Sequence, residues 1–256
     1  MTRVILHGCS GRMGRMITEL AKEDEEIGIV AGVDAVEAEG LKFPFYRDLF
    51  EVKEEADVVV DFSTASAVTP LLSFCREKKM PLVLCTTALS EEQLEDMKKT
   101  SEETAVLKSA NMSLGINLLL DLCQRAAKLL SPEGFDIEIL EKHHNQKLDA
   151  PSGTAIALYE AINQAMDEQF HEVFDRSAVR QKREPKEIGI SAIRGGNIVG
   201  EHSIFFAGTD EVIELRHTAT SRAVFAKGAL AAAKFLKGKP AGLYSMKDVL
   251  GAIPEA

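Results

Sequence analysis

The sequence has no tryptophan, only four cysteines and no apolar run near the roughly 20 residues that a membrane span requires. The cysteines, at positions 9, 75, 85 and 123, never form a CxxC pair, which argues against a zinc site or a disulfide framework. The N-terminus enters an apolar strand too short for a signal peptide. We therefore expect a cytoplasmic protein with reduced thiols.

Basic residues are also fewer than acidic residues. The chain has 30 Lys and Arg residues against 40 Asp and Glu residues, which leaves a formal net charge of -10. A surface of that sign repels nucleic acid and anionic membranes, so neither is expected as a partner. The 256 residues, 45% of them apolar, are enough for two compact domains.

The N-terminal pattern is typical of dinucleotide binding. An apolar strand over residues 4–7 enters the glycine turn Gly8-Cys9-Ser10-Gly11-Arg12-Met13-Gly14, and a helix follows. A second strand, 27–33, ends at Asp34, about 20 residues after the turn, where an acid meets the ribose hydroxyls of NAD. A glycine-rich turn without a ligand is the alternative interpretation, and the surrounding strand, helix and acid argue against it.

Strands and helices then alternate. Short apolar strands are predicted at 57–62, 81–85 and 105–107, and helices over 67–78 and from Ser90, which starts a capping box, to about residue 100. Ligands bind beyond the carboxyl ends of parallel strands, which is where Ser63-Thr64, Thr86-Thr87 and Ser109-Ala110-Asn111-Met112 fall. Each of these segments is read equally well as a polar cap on an ordinary loop.

The pattern changes at Ser113. A long apolar helix is predicted to residue 130, followed by strands at 135–139, 188–193, 198–206 and 212–217 that suggest an antiparallel sheet. The charged stretch 167–186 is predicted to be a solvated connection, and the alanine-rich helix 224–236 is expected to pack back on the first half.

The predicted fold class is therefore α/β. A Rossmann-type doubly wound parallel sheet forms a dinucleotide-binding domain (1–112 and 223–256). A second α+β domain with a mostly antiparallel sheet, 113–222, serves substrate binding and oligomerisation.

The segment 141–154, EKHHNQKLDAPSGT, combines proton carriers, a cation and an anion-binding turn. His143 and His144 supply imidazoles, the side-chain type suited to carrying a proton at working pH, and Lys147 adds a positive charge. Residues 151–154 precede an apolar helix whose free amides would face an anion. A single histidine is more often an ordinary polar residue, but the cluster favours catalysis. Together with a dinucleotide domain, it predicts a hydride-transfer enzyme with an anionic substrate between the domains.

These motifs closely resemble those of the dihydrodipicolinate reductase family, and the likeness covers nearly the whole chain. The most specific match is 141–154, supported by the glycine turn, Cys85-Thr86-Thr87 and Ser109-Ala110-Asn111-Met112-Ser113. The resemblance implies reduction of a small dicarboxylate, (2S,4S)-4-hydroxy-2,3,4,5-tetrahydrodipicolinate, to tetrahydrodipicolinate with loss of water, using NADH or NADPH. It also implies a place in lysine biosynthesis through diaminopimelate and a cytoplasmic homotetramer built through the antiparallel sheets.

The resemblance further implies residue roles. His143 would donate or accept a proton, Lys147 would donate one, and His144 would contact the substrate. Gly153 and Thr154 would hold a substrate carboxylate at the helix start. The cofactor site would be lined by Gly8, Cys9, Ser10, Gly11, Arg12, Met13, Asp34, Cys85, Thr86, Thr87, Ser109, Ala110, Asn111 and Met112.

Two positions depart from the family pattern. Cys85 stands where members usually carry glycine, so the backbone at the nicotinamide end is less free. Ala35 follows Asp34 where some relatives carry a basic residue for the 2′-phosphate of NADPH. We therefore expect a preference for NADH, although Arg12 could also reach a 2′-phosphate and the family often accepts both cofactors.

The sequence leaves three other functions open, all ranked below the reductase. An amino-acid or aldehyde dehydrogenase would keep the glycine turn but does not require His143-His144 with Lys147. A lyase would use Lys147 as a Schiff base with a keto acid. A non-catalytic sensor would bind the dinucleotide without turnover.

Overall fold

The structure, a computed structural model, describes residues 1–252 except 175, 178 and 179. The chain divides into two compact units. Unit 1 comprises Met1–Leu114 and Ala223–Ala256, and unit 2 comprises Gly115–Arg222. Within the described residues, no helix has the length and apolar character needed to cross a membrane.

Unit 1 is built on a seven-stranded parallel sheet. Its strands are β1 (Thr2–His7), β2 (Ile27–Val33), β3 (Phe45–Tyr46), β4 (Val58–Asp61), β5 (Leu82–Leu84), β6 (Ala105–Lys108) and the last strand of the chain, β12 (Gly242–Tyr244). Their order across the sheet is β12-β6-β5-β4-β1-β2-β3. The strand order reverses between β1 and β4, which is the switch point where doubly wound sheets bind ligands.

Helices cover both faces of this sheet. They are α1 (Arg12–Lys22), α2 (Val68–Lys78), α3 (Glu91–Ser101), α6 (Ala223–Leu236) and α7 (Met246–Gly251). One apolar cluster joins the sheet to α1, α6 and α7, and a second joins it to α2 and α3. The predicted capping box is present, because Ser90 Oγ accepts from Gln93 N at 3.2 Å and Gln93 Oε1 accepts from Ser90 N at 3.1 Å.

Unit 2 contains a five-stranded sheet. Its strands are β7 (Asp136–His143), β8 (His171–Val173), β9 (Glu187–Arg194), β10 (Gly200–Ala207) and β11 (Val212–Ala219), in the order β11-β10-β7-β9-β8. β10 pairs antiparallel with β7 and β11, while β9 pairs parallel with β7 and β8. Two helices, α4 (Leu114–Leu130) and α5 (Gly153–Ala165), share its apolar core.

The predicted fold class is confirmed, one local prediction was incomplete and one strand was not predicted. The stretch 167–186 is not only a connection, because β8 lies within it and adds to the edge of the unit 2 sheet. Residues 175, 178 and 179 of that stretch lie outside the described residues. The C-terminal tail contributes β12, which pairs with β6. Both strands have three residues, too few for a periodic pattern to show.

Candidate active site

The glycine turn joins β1 to α1 in unit 1. Gly8 has a φ of 81°, and a Cβ there would lie 2.5 Å from the carbonyl oxygen of Phe62. A Cβ at Gly14 would lie 2.3 Å from the carbonyl oxygen of Gly8, so the helix packs directly on the turn. Both positions therefore require glycine. Gly11 is the N-cap of α1, and no side chain caps the helix there, as expected for a helix start that binds phosphate.

Asp34, the acid at the end of β2, is tied to this turn. Its carboxylate accepts from Ser10 N at 3.0 Å and from Ala35 N at 2.7 Å. A cavity of about 590 Å³ opens beside it, lined by Gly8, Ser10, Gly11 and Asp34 among the predicted cofactor residues. An uncapped helix start and an acid at the ribose position, both facing one cavity, fit a dinucleotide.

The other predicted cofactor residues do not line that cavity. Arg12, Thr87 and Ala110 are exposed, Met13 and Ser109 are half-buried, and Met112 is buried. Ser109 Oγ donates to the carbonyl oxygen of Asn111 at 2.9 Å. Burial raises the pKa of the Cys9 thiol, and it raises that of Cys85 well above the ordinary range. Both thiols are therefore protonated at neutral pH.

A buried acid that the sequence did not predict holds Thr86 in place. Asp61, at the end of β4, is fully buried and lies 2.8 Å from His7 Nδ1. Thr86 Oγ1 donates to Asp61 at 2.6 Å, and Ser63 N donates at 3.2 Å. Burial alone would raise the pKa of Asp61, but the bonds from His7 and these donors lower it. The residues at the ends of β1, β4 and β5 thus form one bonded network.

The segment 141–154 lies in unit 2, at the end of β7 and in the loop to α5. His143 is the last residue of β7 and is buried, with Nδ1 2.5 Å from Glu141 Oε2. Because the neutral imidazole then carries its proton on Nδ1, Nε2 is the nitrogen left to exchange protons. A Cβ at Gly200 would lie 3.1 Å from Nε2, so glycine leaves room for this ring.

Glu141 is the centre of the unit 2 site. Its side chain is fully buried and accepts two bonds from the Arg194 guanidinium, at 2.6 and 2.7 Å, and one from Ser152 N at 3.0 Å. Burial alone would raise the pKa of Glu141, but the bonds from His143, Arg194 and Ser152 lower it to about 2. A carboxylate charged at neutral pH therefore orients both the histidine and the start of α5.

His202 completes this network from β10, where it pairs with Glu141 in the antiparallel register. Its ring lies edge-on to His143 with centroids 5.2 Å apart, and its Nε2 is 3.2 Å from Ser152 Oγ. Ser152 Oγ is also the N-cap acceptor for Ala155 N at 3.2 Å. Burial lowers the pKa of His202 to about 4, so this imidazole is neutral at pH 7.

The remaining predicted residues of unit 2 lie in the loop and at the start of α5. Lys147 Nζ forms a 2.8 Å ion pair with Asp149, and His144 is half-buried. Gly153 is the exposed first residue of α5, with open space where a Cβ would stand, and Thr154 follows it. Unit 2 therefore brings the His143 and His202 imidazoles, the Arg194 guanidinium and the start of α5 together around one buried carboxylate. The Lys147–Asp149 ion pair lies in the loop between β7 and α5.

The sequence did not identify the residues that hold the predicted side chains of this site in place. Glu141 stood inside the quoted motif without an assigned role, whereas Arg194 and His202 gave no local indication of theirs. They are neighbours of the motif only because β9 and β10 flank β7. Within the described ranges, no group of three or more His, Cys, Asp or Glu residues is arranged to hold a metal ion.

Comparison with known proteins identifies the family of this chain. The family models "Dihydrodipicolinate reductase, N-terminus" and "Dihydrodipicolinate reductase, C-terminus" match residues 2–112 and 115–250. The chain is 54% identical over 250 residues to the 4-hydroxy-tetrahydrodipicolinate reductase of Caldanaerobacter subterraneus subsp. tengcongensis, and 50% identical over 252 residues to that of Clostridium tetani. Each alignment covers 98% of both chains.

A solved structure shows the same fold. The dipicolinate-bound dihydrodipicolinate reductase from Paenisporosarcina sp. TG-14 superposes with a TM-score of 0.80 at 24% identity, covering 97% of this chain and 99% of that one. The two family models together span nearly the whole chain, and the named relatives match it from end to end. The chain belongs to the dihydrodipicolinate reductase family.

Proposed function

We propose that this chain carries out the family reaction with the Glu141 network of unit 2 and the glycine turn of unit 1. The reaction is the NAD(P)H-dependent reduction of (2S,4S)-4-hydroxy-2,3,4,5-tetrahydrodipicolinate to tetrahydrodipicolinate with loss of water, a step of lysine biosynthesis through diaminopimelate. The observation that carries the site assignment is the buried Glu141 carboxylate, which holds His143, Arg194 and the start of α5 together.

NADH or NADPH, when bound, supplies the hydride that reduces C4 of the substrate. The protein's part is to hold the dinucleotide. The uncapped start of α1 would hold its pyrophosphate, and Asp34 would accept from the ribose hydroxyls. Although Asp34 already accepts two amide bonds, a carboxylate has about four acceptor positions, so two are left for the ribose.

The substrate is a dianion, and unit 2 offers matching donors. The amides of Gly153 and Thr154 at the start of α5 would bind one carboxylate, and His144 would contact the same ring. Lys147 would leave its ion pair with Asp149 to face the substrate. The Paenisporosarcina relative was solved with dipicolinate, also a small ring with two carboxylates, which supports a ligand of this class.

Proton transfer would fall to His143 and Lys147. Loss of the 4-hydroxyl as water puts a proton on the leaving oxygen and removes one from the neighbouring carbon. Hydride addition at C4 then needs a proton back on that carbon, so the overall reaction consumes one hydride and one proton. Lys147 Nζ and His143 Nε2 are the donors. Glu141, bonded to His143 Nδ1, would stabilise the imidazolium whenever Nε2 carries a proton.

We also propose that the protein is a cytoplasmic homotetramer. The sheet of unit 2 exposes apolar side chains on β9 and β11, namely Ile193, Val212 and Ile213, which supports burial of this sheet in an assembly. All four cysteines are free, in keeping with a reducing compartment.

The test is a coupled assay with freshly generated substrate and each reduced cofactor. Lys147→Ala should lower turnover by roughly 10²-fold or more, because a general acid is lost, whereas His144→Ala should mainly raise KM. Lys128→Ala, an exposed lysine on α4, is the matched control and should behave as wild type. Absence of nicotinamide oxidation with both cofactors would overturn the assignment, and full turnover of Lys147→Ala would remove Lys147 from the mechanism.

A further inference from the structure

We propose that Arg47 binds the 2′-phosphate of NADPH, so that the chain accepts the phosphorylated cofactor through a cation on the neighbouring strand. This inference rests on the proposed function, because it concerns the cofactor held by the glycine turn. It addresses the position left open by Ala35, where no basic side chain follows Asp34.

Strand register places Arg47 beside Asp34. β2 and β3 pair in parallel, with Gly32 opposite Phe45 and Val33 opposite Tyr46. The ladder continues one step further, since Asp34 N donates to the carbonyl oxygen of Tyr46 at 3.2 Å. The residue directly after β3 is Arg47. An acid and an arginine thus stand at corresponding ends of adjacent strands.

Both residues border the same space. Asp34, Ala35 and Arg47 all line the 590 Å³ cavity next to the glycine turn. Among the lining residues, Arg47 is the only lysine or arginine, and the other basic group, His7, is bonded to buried Asp61. A phosphate beside Asp34 would therefore find one guanidinium in reach.

Arg47 is available for a ligand. Its side chain is exposed and has no hydrogen bond or ion pair with any residue that the structure describes. The two acids near it are already bonded to backbone amides: Asp48 accepts from Phe50 N at 2.9 Å, and Asp34 accepts from Ser10 N and Ala35 N. Both carboxylates keep their charge, but neither lies within ion-pair distance of the Arg47 guanidinium.

The chemistry of the two cofactors makes this cation selective. NADH presents a ribose hydroxyl at the 2′ position, for which Asp34 is the acceptor. NADPH presents a phosphate dianion there, which Asp34 repels and which needs a positive partner. The planar fork of arginine matches phosphate oxygens in a bidentate bond. Stacking of Arg47 on the adenine is the competing role, and it would serve both cofactors equally.

The experiment measures NADH and NADPH dissociation constants by calorimetry for wild type, Arg47→Gln, Arg47→Lys and Lys42→Gln. Loss of a charge-assisted phosphate bond should weaken NADPH binding about ten- to hundredfold while NADH binding stays within about threefold. Arg47→Lys should retain part of the NADPH affinity. Lys42, exposed and outside the cavity lining, controls for loss of one positive charge.

Every other outcome counts against the inference. Equal losses for both cofactors would assign Arg47 to adenine stacking, and an unchanged NADPH constant would place the phosphate elsewhere, for example at Arg12. Wild-type protein that binds NADH but not NADPH would also overturn it while leaving the proposed function intact. Wild-type protein that binds neither nucleotide would instead contradict the proposed function, and the inference with it.

Discussion

Each unit buries one carboxylate against the Nδ1 atom of a histidine, and the two pairs differ in what else surrounds the acid. Asp61 in unit 1 and Glu141 in unit 2 are both fully buried, and each has a lowered pKa. Glu141 also accepts two bonds from Arg194, whereas the other donors to Asp61 are a hydroxyl and an amide. Among the described residues, no lysine or arginine lies within ion-pair distance of Asp61.

The different surroundings of Glu141 and Asp61 suggest different roles for the two carboxylates. Because Arg194 is paired with Glu141 independently of His143, the carboxylate stays charged beside His143 Nδ1. Among the described residues, His7 is the one titratable group within ion-pair distance of Asp61, whose carboxylate instead fixes Thr86 at the sheet edge. We interpret the Glu141 pair as part of the chemistry and the Asp61 pair as support for the cofactor-binding edge.

The largest effect is expected from Glu141→Gln. The amide keeps the shape but removes the charge that orients His143 and neutralises Arg194, so turnover should fall roughly 10²- to 10³-fold. Leaving the arginine uncompensated should also cost about 3 kcal/mol of stability. Steady-state kinetics and calorimetric melting measure the two effects. Turnover within threefold of wild type would show that His143 does not depend on Glu141.

His202 and the two buried acids should lose their contributions to stability over different pH ranges. The folded pKa of His202 is about 4, below the ordinary 6.5, so its neutral form stabilises the fold above pH 6.5. That contribution, about 3 kcal/mol, is lost as pH falls from 6.5 through 4. Glu141 and Asp61 have lowered pKa values, so each stabilises the fold fully above the pKa of the unfolded chain and loses that contribution as pH falls to its folded pKa. For Glu141 the loss occurs between about pH 4.5 and pH 2.

Melting temperatures measured from pH 8 to pH 4 test this order. His202→Gln should flatten the decline between pH 6.5 and 4, since glutamine has no proton to gain. His171→Gln, an exposed histidine on β8, should leave the wild-type slope unchanged. Parallel slopes for wild type and His202→Gln would mean that another group causes the decline.

Asp61→Asn is expected to have a smaller effect and sharpens the comparison directly. The asparagine can keep one acceptor for Thr86 but loses the carboxylate charge beside His7 Nδ1, so stability should fall by about 2 kcal/mol. NADH binding should weaken because Thr86 is less firmly held, while turnover at saturating cofactor should fall no more than about threefold. A turnover loss as large as that of Glu141→Gln would indicate that Asp61, like Glu141, supports the chemistry.

The sequence predicted the sheet of unit 1 well because its strands are buried on both faces. Segments such as Val58–Asp61 read as short apolar runs, and the Ser90 capping box marked a helix start that the structure contains. β3 and β12 were not predicted. They have two and three residues, and they are strands because they pair with β2 and β6. A local sequence pattern does not indicate such pairing.

For the site, too, the sequence indicated residues that are close together along the chain but not those brought in by strand pairing. His143, His144 and Lys147 stand close together in the sequence, so their cluster could be recognised without a fold. Arg194 and His202 lie more than 40 residues from His143, and pairing of β7 with β9 and β10 brings them to it. Asp61 could not be identified either, because an acid after three valines looks like an ordinary strand end.

The smallest effect is expected from Cys85→Gly, which tests whether backbone freedom or the Asp61 network positions the nicotinamide end. The Cys85 amide already donates to the carbonyl oxygen of Asp61 at 3.0 Å, and Thr86 is held by its own bond to the Asp61 carboxylate. Added freedom at residue 85 should therefore cost about 0.5–1 kcal/mol of stability and change the NADH dissociation constant less than threefold. Calorimetry with wild type and Cys85→Ser as references measures both. A tenfold change in affinity for the glycine variant alone would mean that the backbone at residue 85, and not the Asp61–Thr86 bond, sets the geometry of this edge.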